Sequence, residues 1–111
     1  MRLRTSRRRE LAFGNGAMIK QLLTPDACTA LQMMRIVIQP GGASGDEPYR
    51  TRGGARCATV LRGALGIDVD GRSFLLEEGD TFAFEATHNL RFWCESQQAC
   101  EVIWAVTPAI Y

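Results

Sequence analysis

The stretch ATVLRGALGIDVDGRSFLLEEGDTF, residues 58–82, decides the fold. Within it, Val69-Asp70-Gly71-Arg72 sets an Asp-Gly pair between two runs in which apolar and polar residues alternate. Both central residues tolerate positive φ, so the pair predicts the tight turn of a β-hairpin with arms Ala64–Val69 and Arg72–Leu76. Glu77-Glu78-Gly79-Asp80 then turns the chain into a further strand, Asp80–Glu85.

The same alternation continues on both sides of this stretch. It predicts strands at Met18–Leu23, Leu31–Gln39, Arg56–Arg62, Leu90–Glu95 and Glu101–Val106, with Pro40-Gly41-Gly42 closing the second of these. Only Pro25–Ala30 has room for a helical turn, and it is too short to be an element. Short strands at close spacing with almost no helix imply an all-β sandwich or barrel, the arrangements that bury sheet faces and limit exposed edges.

Alternation also sorts side chains by face. Leu65, Ile67 and Val69 share one face of their strand; Leu90, Phe92 and Cys94 oppose Arg91, Trp93 and Glu95; Val102, Trp104 and Val106 oppose Glu101, Ile103 and Ala105. Trp93 and Thr59 are expected on the outside, where Trp93 is a candidate for contact with a partner.

Composition narrows the class. A chain of 111 residues holds one domain, and 46% hydrophobic with 23% charged residues is ordinary for a globular protein. Arg2, Arg4, Arg7, Arg8 and Arg9 concentrate five of the thirteen cations at the start, so Glu10–Tyr111 carries eight cations against twelve anions, a net charge of −4. A basic nucleic-acid-binding barrel is thereby excluded, and the arginines read as a solvated tail or linker over residues 1–12, with the barrel spanning 13–111. No window approaches the ~18 apolar residues of a membrane span. Gly14, Asn15 and Gly16 interrupt Leu11–Ile19, which removes it as an export signal, so a cytoplasmic protein is expected. Cys28, Cys57, Cys94 and Cys100 show no C-x-x-C spacing and are expected as reduced thiols.

The quoted stretch resembles the cupins, in which a strand ends at a glycine, here Gly63, and is followed by a hairpin and a Gly-Asp turn, here Gly79-Asp80. Leu22–Pro25, Gln39–Gly42 and Val102–Pro108 are similar to the cupin domain at the C-terminal end of helix-turn-helix regulators, and the resemblance covers residues 17–108. It implies a single-domain double-stranded β-helix, the jelly-roll barrel, in whose orientation Arg56, Ala58 and Val60 point inward to meet Leu90 and Phe92. Cupin enzymes hold a divalent metal on inward histidines and a glutamate. The resemblance places those ligands within Tyr49–Arg52, at Arg56 and at Leu90, where this chain has YRTR, arginine and leucine. His88, the single histidine, lies two residues before the last position, and one imidazole cannot assemble such a site.

No nucleophile elbow, P-loop or Gly-x-Gly-x-x-Gly turn is present, and the acids at turns read as surface groups. The expectation is therefore a non-enzymatic effector-binding domain of a transcriptional regulator, without catalytic residues, metal or cofactor. The alternative is a small isomerase or dioxygenase relative with a degenerate or shifted metal site. The expected ligand-binding residues are Arg50, Arg52, Arg56, His88, Leu90 and Phe92, gripping a carboxylate through arginine and covering an apolar body. A homodimer is expected, with no nucleic acid bound by the barrel itself and no membrane contact.

Overall fold

The computed structural model describes residues 2–111. Its strands are β1 (Glu10–Phe13), β2 (Met18–Leu22), β3 (Gln32–Ile38), β4 (Tyr49–Arg50), β5 (Ala55–Arg62), β6 (Leu65–Val69), β7 (Arg72–Leu76), β8 (Thr81–Glu85), β9 (Asn89–Cys94) and β10 (Cys100–Thr107). They build a six-stranded sheet in the order β1-β2-β3-β10-β5-β8 and a four-stranded sheet in the order β4-β9-β6-β7. Every strand predicted from sequence is present, with each end within one residue of its expected place. Asp70 (φ 52°) and Gly71 (φ 83°) take the positive φ that the hairpin turn demands.

The two sheets face each other, and the inward phase of each strand fills the space between them. Ile36 on β3 and Val60 on β5 flank Val102 on β10, and Leu65, Ile67, Leu90 and Phe92 close on them from the other sheet. The rings of Phe92 and Trp104 stand 5.3 Å apart across the interior. Side chains thus fill the barrel's centre, as a barrel this narrow requires.

The chain start differs from expectation. The boundary drawn between residues 12 and 13 falls inside β1, which pairs antiparallel with β2, Glu10 opposite Gln21 and Phe13 opposite Met18. Leu11 and Phe13 alternate with Glu10 and Ala12, a run short enough for the neighbouring arginines to mask. Arg9 joins the same edge through an ion pair with Asp26 at 2.9 Å. Pro25–Ala30 forms no helix; Cys28 N–H closes a single turn on the Pro25 carbonyl.

On the outer side of the smaller sheet, Trp93 faces out as expected, but its indole lies flat over Gly66. A Cβ on Gly66 would fall 2.1 Å from the indole ring. The indole Nε1 donates to the Glu95 carboxylate and the Arg91 guanidinium covers the ring at 5.1 Å, so this aromatic is packed against its own sheet. The four thiols are free, and burial pushes that of Cys100 up to about 12.

Candidate functional site at the barrel mouth

Antiparallel pairing brings three of the sequence-singled positions to one end of the barrel. Tyr49 on β4 lies opposite Leu90 on β9, so its side chain shares the inward face, while Arg50, opposite Asn89, is sent outward. Arg56 on β5 points inward between Val106 on β10 and Phe84 on β8. Its Nη1 reaches the Tyr49 hydroxyl at 3.5 Å, the outer limit of a hydrogen bond, and its guanidinium lies 6.0 Å from the Tyr49 ring. Arg56 is only 7% exposed, and its Nε has no partner among the described residues. Glu85 cannot supply one, because it lies opposite Ala55 on the other face of the sheet.

Of the remaining expected site residues, Arg52 lines a cavity of about 130 Å³ beside Arg56, together with Thr107, Pro108 and Ile110. Arg50 donates to Asn89 Oδ1 at 3.3 Å on the exposed side. Leu90 and Phe92 are core residues and line neither this cavity nor its neighbour, because the facing strands stand too close to leave a ligand space between them. They support the mouth from below.

His88 is held at the edge of the mouth, its ring set edge-on to Phe84 at 5.4 Å. Its Nδ1 lies 2.5 Å from Asp70 Oδ2 and its Nε2 lies 2.6 Å from the Glu85 carbonyl oxygen. Two acceptors can both be met only if both ring nitrogens carry protons, so the geometry holds the imidazolium form. The Asp70 carboxylate, then the Glu85 carbonyl, raise the His88 pKa above 6.5, and the His88 hydrogen bond holds Asp70 below 3.8. The histidine contribution to stability is full below the unfolded pKa and is lost as pH rises through the folded one; the Asp70 contribution is lost as pH falls through its depressed value. Thermal melts at about pH 6 and about pH 9 should therefore show wild type losing more stability than His88→Gln over that interval. An equal loss in both proteins would remove the pair as a source of pH dependence.

Sequence reasoning missed two buried polar side chains at this mouth, Lys20 and Gln32. Lys20 on β2 shares the inward phase of Met18 and Leu22, and Gln32 on β3 shares that of Met34, Ile36 and Ile38. Trp104 Nε1 is a buried donor without a partner among the described residues. Lys20 Nζ donates to the Tyr111 hydroxyl at 2.9 Å and lines a second cavity, of about 210 Å³, with Phe13, Met18, Ser44, Tyr49, Ile110 and Tyr111. Ile110 borders both cavities, so the segment after β10 partitions the mouth. A cation at an apolar strand's inward phase is a legible signal for Lys20.

The divalent-metal set that the resemblance implies does not fit here. Its positions hold the Arg56 guanidinium, the Leu90 hydrocarbon and Tyr49, whose pKa burial pushes up against the pull of Arg56, disfavouring a phenolate ligand. Among the described residues no three His, Cys, Asp or Glu side chains come together in a way that could hold an ion. What stands at the mouth instead is donors: the Arg56 guanidinium at one cavity, and Lys20 with the Tyr49 hydroxyl at the other. Such a site suits a ligand rich in acceptors.

The comparisons agree with the architecture. A cupin from Shewanella frigidimarina, described as RmlC-like, superposes with a TM-score of 0.76 at 19% identity over 97% of this chain and 90% of its own. The Cupin_2 domain of an XRE family transcriptional regulator from Enterobacter cloacae gives 0.72 at 20% identity over 85% and 99%. Hydroxypropylphosphonic acid epoxidase from S. wedmorenis gives 0.76 at 14% identity, with 96% of this chain covering 58% of the enzyme. No curated protein matches in sequence. No helix among the described residues is long and apolar enough to cross a membrane. The cupin domain model matches residues 34–106, from β3 through β10, and with the two-sheet barrel that surrounds this match the chain belongs to the cupin family.

Proposed function

We propose that this domain binds a small carboxylate at the barrel mouth and serves as the effector-sensing part of a transcriptional regulator. The observation that carries the binding reading is Arg56, a nearly fully buried guanidinium whose Nε lacks a partner and which makes no ion pair among the described residues. A buried, unmatched charged donor is costly, and a carboxylate ligand would offset that cost with two parallel hydrogen bonds. Arg52, on the rim of the same cavity, adds positive charge at the entrance. The regulator reading is supported by the likeness to the Enterobacter cloacae regulator domain.

A thermal-shift screen of small aliphatic and aromatic carboxylic acids tests the binding. The best hit should lose about ten- to a hundredfold in affinity on Arg56→Met, the value of a hydrogen-bonded charge pair. Equal stabilisation of both proteins would leave Arg56 without a ligand role.

The homodimer belongs to the same reading. Met33, Ala105, Cys57 and Ala83 form one row across the outer face of the larger sheet. It runs from a projecting methionine to a shallow hollow of about 270 Å³ over the small residues. Two copies stacked about a two-fold axis would set each methionine into the other's hollow. Light scattering should give twice the 12.3 kDa chain mass for wild type and the single mass for Ala105→Arg. A monomeric wild type at micromolar concentration would refute the pairing.

A further inference from the structure

The segment after β10 is tied down in an uncommon way. Gln32, 4% exposed, spends its whole side-chain amide on it: Oε1 accepts from the Ile110 and Tyr111 N–H groups, both at 3.1 Å, and Nε2 donates to the Tyr111 carbonyl at 3.2 Å. Lys20, 8% exposed, gives Nζ to the hydroxyl of the same tyrosine at 2.9 Å. The ammonium lies between two rings, 5.0 Å from the centroid of Phe13 and 5.1 Å from that of Tyr111. Two buried polar side chains on separate strands thus converge on one residue that is itself 43% exposed. Beyond Thr107 no sheet ladder holds the segment, and besides Gln32 its main chain is anchored by Ala109 N–H on the Thr29 carbonyl at 3.0 Å.

Beside the Tyr111 ring lies the cavity of about 210 Å³ lined by Phe13, Met18, Lys20 and Tyr49. A dry cavity of about 150 Å³ already admits benzene, so one aromatic ring fits. An aromatic face, an ammonium at one end and an amide at the other make up the chemistry that Tyr111 meets with its ring, its phenolic oxygen and its carbonyl.

We propose that this chamber binds a small aromatic molecule bearing a phenolic oxygen at one end and a carboxylate at the other, and that Tyr111 is its built-in occupant, displaced when the ligand enters. This deepens the reading of the mouth as a carboxylate site and rests on it. Because ligand and Tyr111 compete for the same Lys20 donor, the apparent affinity is that of the open site multiplied by the fraction of time the tyrosine leaves it open. Release of the tyrosine also removes the partition at Ile110, joining the Lys20 chamber to the Arg56 cavity.

The probe is 4-hydroxyphenylacetate, which carries a phenol at one end and a carboxylate at the other. Calorimetry should show it binding Tyr111→Ala at least about tenfold more tightly than wild type, because the internal competitor is gone. Tyr111→Phe frees the Lys20 donor but keeps the ring in place, and should fall between wild type and Tyr111→Ala. Adding Lys20→Met to Tyr111→Ala should erase the gain, with circular dichroism showing that the barrel is intact. Equal affinity for wild type and Tyr111→Ala, a gain that survives Lys20→Met, or no binding to either protein overturns the inference. The carboxylate reading fails separately: if the acids bind wild type through Arg56 while Tyr111→Ala brings no gain, the site stands and the displaceable tyrosine falls. A gain in Tyr111→Ala that persists with Arg56→Met keeps the chamber and removes Arg56 from the ligand.

Discussion

Replacing Phe92 by alanine is expected to lower the unfolding free energy by about 3–5 kcal/mol, the range for removing a large aromatic from a packed core. Phe92 is 1% exposed and stands at the meeting of the two sheets, with Ile67 opposite it on β6 and the Trp104 ring 5.3 Å away from the other sheet. The strand ladders on both sides hold the backbone, so the facing elements cannot collapse into the space, and the cavity contribution is felt in full. The tilted Phe92–Trp104 pair adds a geometric contribution that alanine loses as well. Urea unfolding followed by circular dichroism measures the change as a shifted midpoint at unchanged slope. A loss below about 1 kcal/mol would mean that the interior is looser than the structure shows. The experiment also separates two roles: a core residue should cost stability with or without carboxylate, whereas a ligand-covering residue would show most of its effect only when carboxylate is present.

The fold was legible because its signals are local. Asp70-Gly71 determines the hairpin turn through φ alone, and alternation puts Arg56, Ala58 and Val60 on one face, which the cupin resemblance turns inward. The candidate site was legible only where it shares that locality. Arg56 needed only its phase and that resemblance, and Lys20 and Gln32 show the same signal, each a polar residue at the inward phase of an apolar strand. Their partner does not show in sequence, because Lys20 meets Tyr111 across 91 residues and Gln32 meets it across 79. Arg50 and Tyr49 could not be sorted because β4 has two residues, too few to display a period; pairing with β9 sets their faces. His88 shares the parity of Leu90 but lies before the strand begins, and the Asp70 carboxylate, 18 residues away, sets its orientation.

Arg56→Met is expected to raise stability in the absence of ligand, by about 1–3 kcal/mol, while weakening carboxylate binding. The sign follows from what the guanidinium now touches. Its one side-chain hydrogen bond, to Tyr49, is at the distance limit, and its Nε is buried with no acceptor among the described residues. An unsatisfied buried donor costs about 1–3 kcal/mol, more when charged, and exchanging such a group for an apolar one of similar length removes that cost. Val106 and Phe84, its neighbours across the sheet, offer methionine an apolar bed. Against this stand the weak Tyr49 contact and the guanidinium over its ring at 6.0 Å, together worth less than the desolvation they accompany. The variant should therefore melt several degrees higher than wild type when both are free of ligand, and the order should narrow or reverse once a saturating carboxylate stabilises only wild type. A variant that melts lower without ligand would show that Arg56 is internally satisfied, and the site would lose the unmatched donor on which its carboxylate chemistry rests.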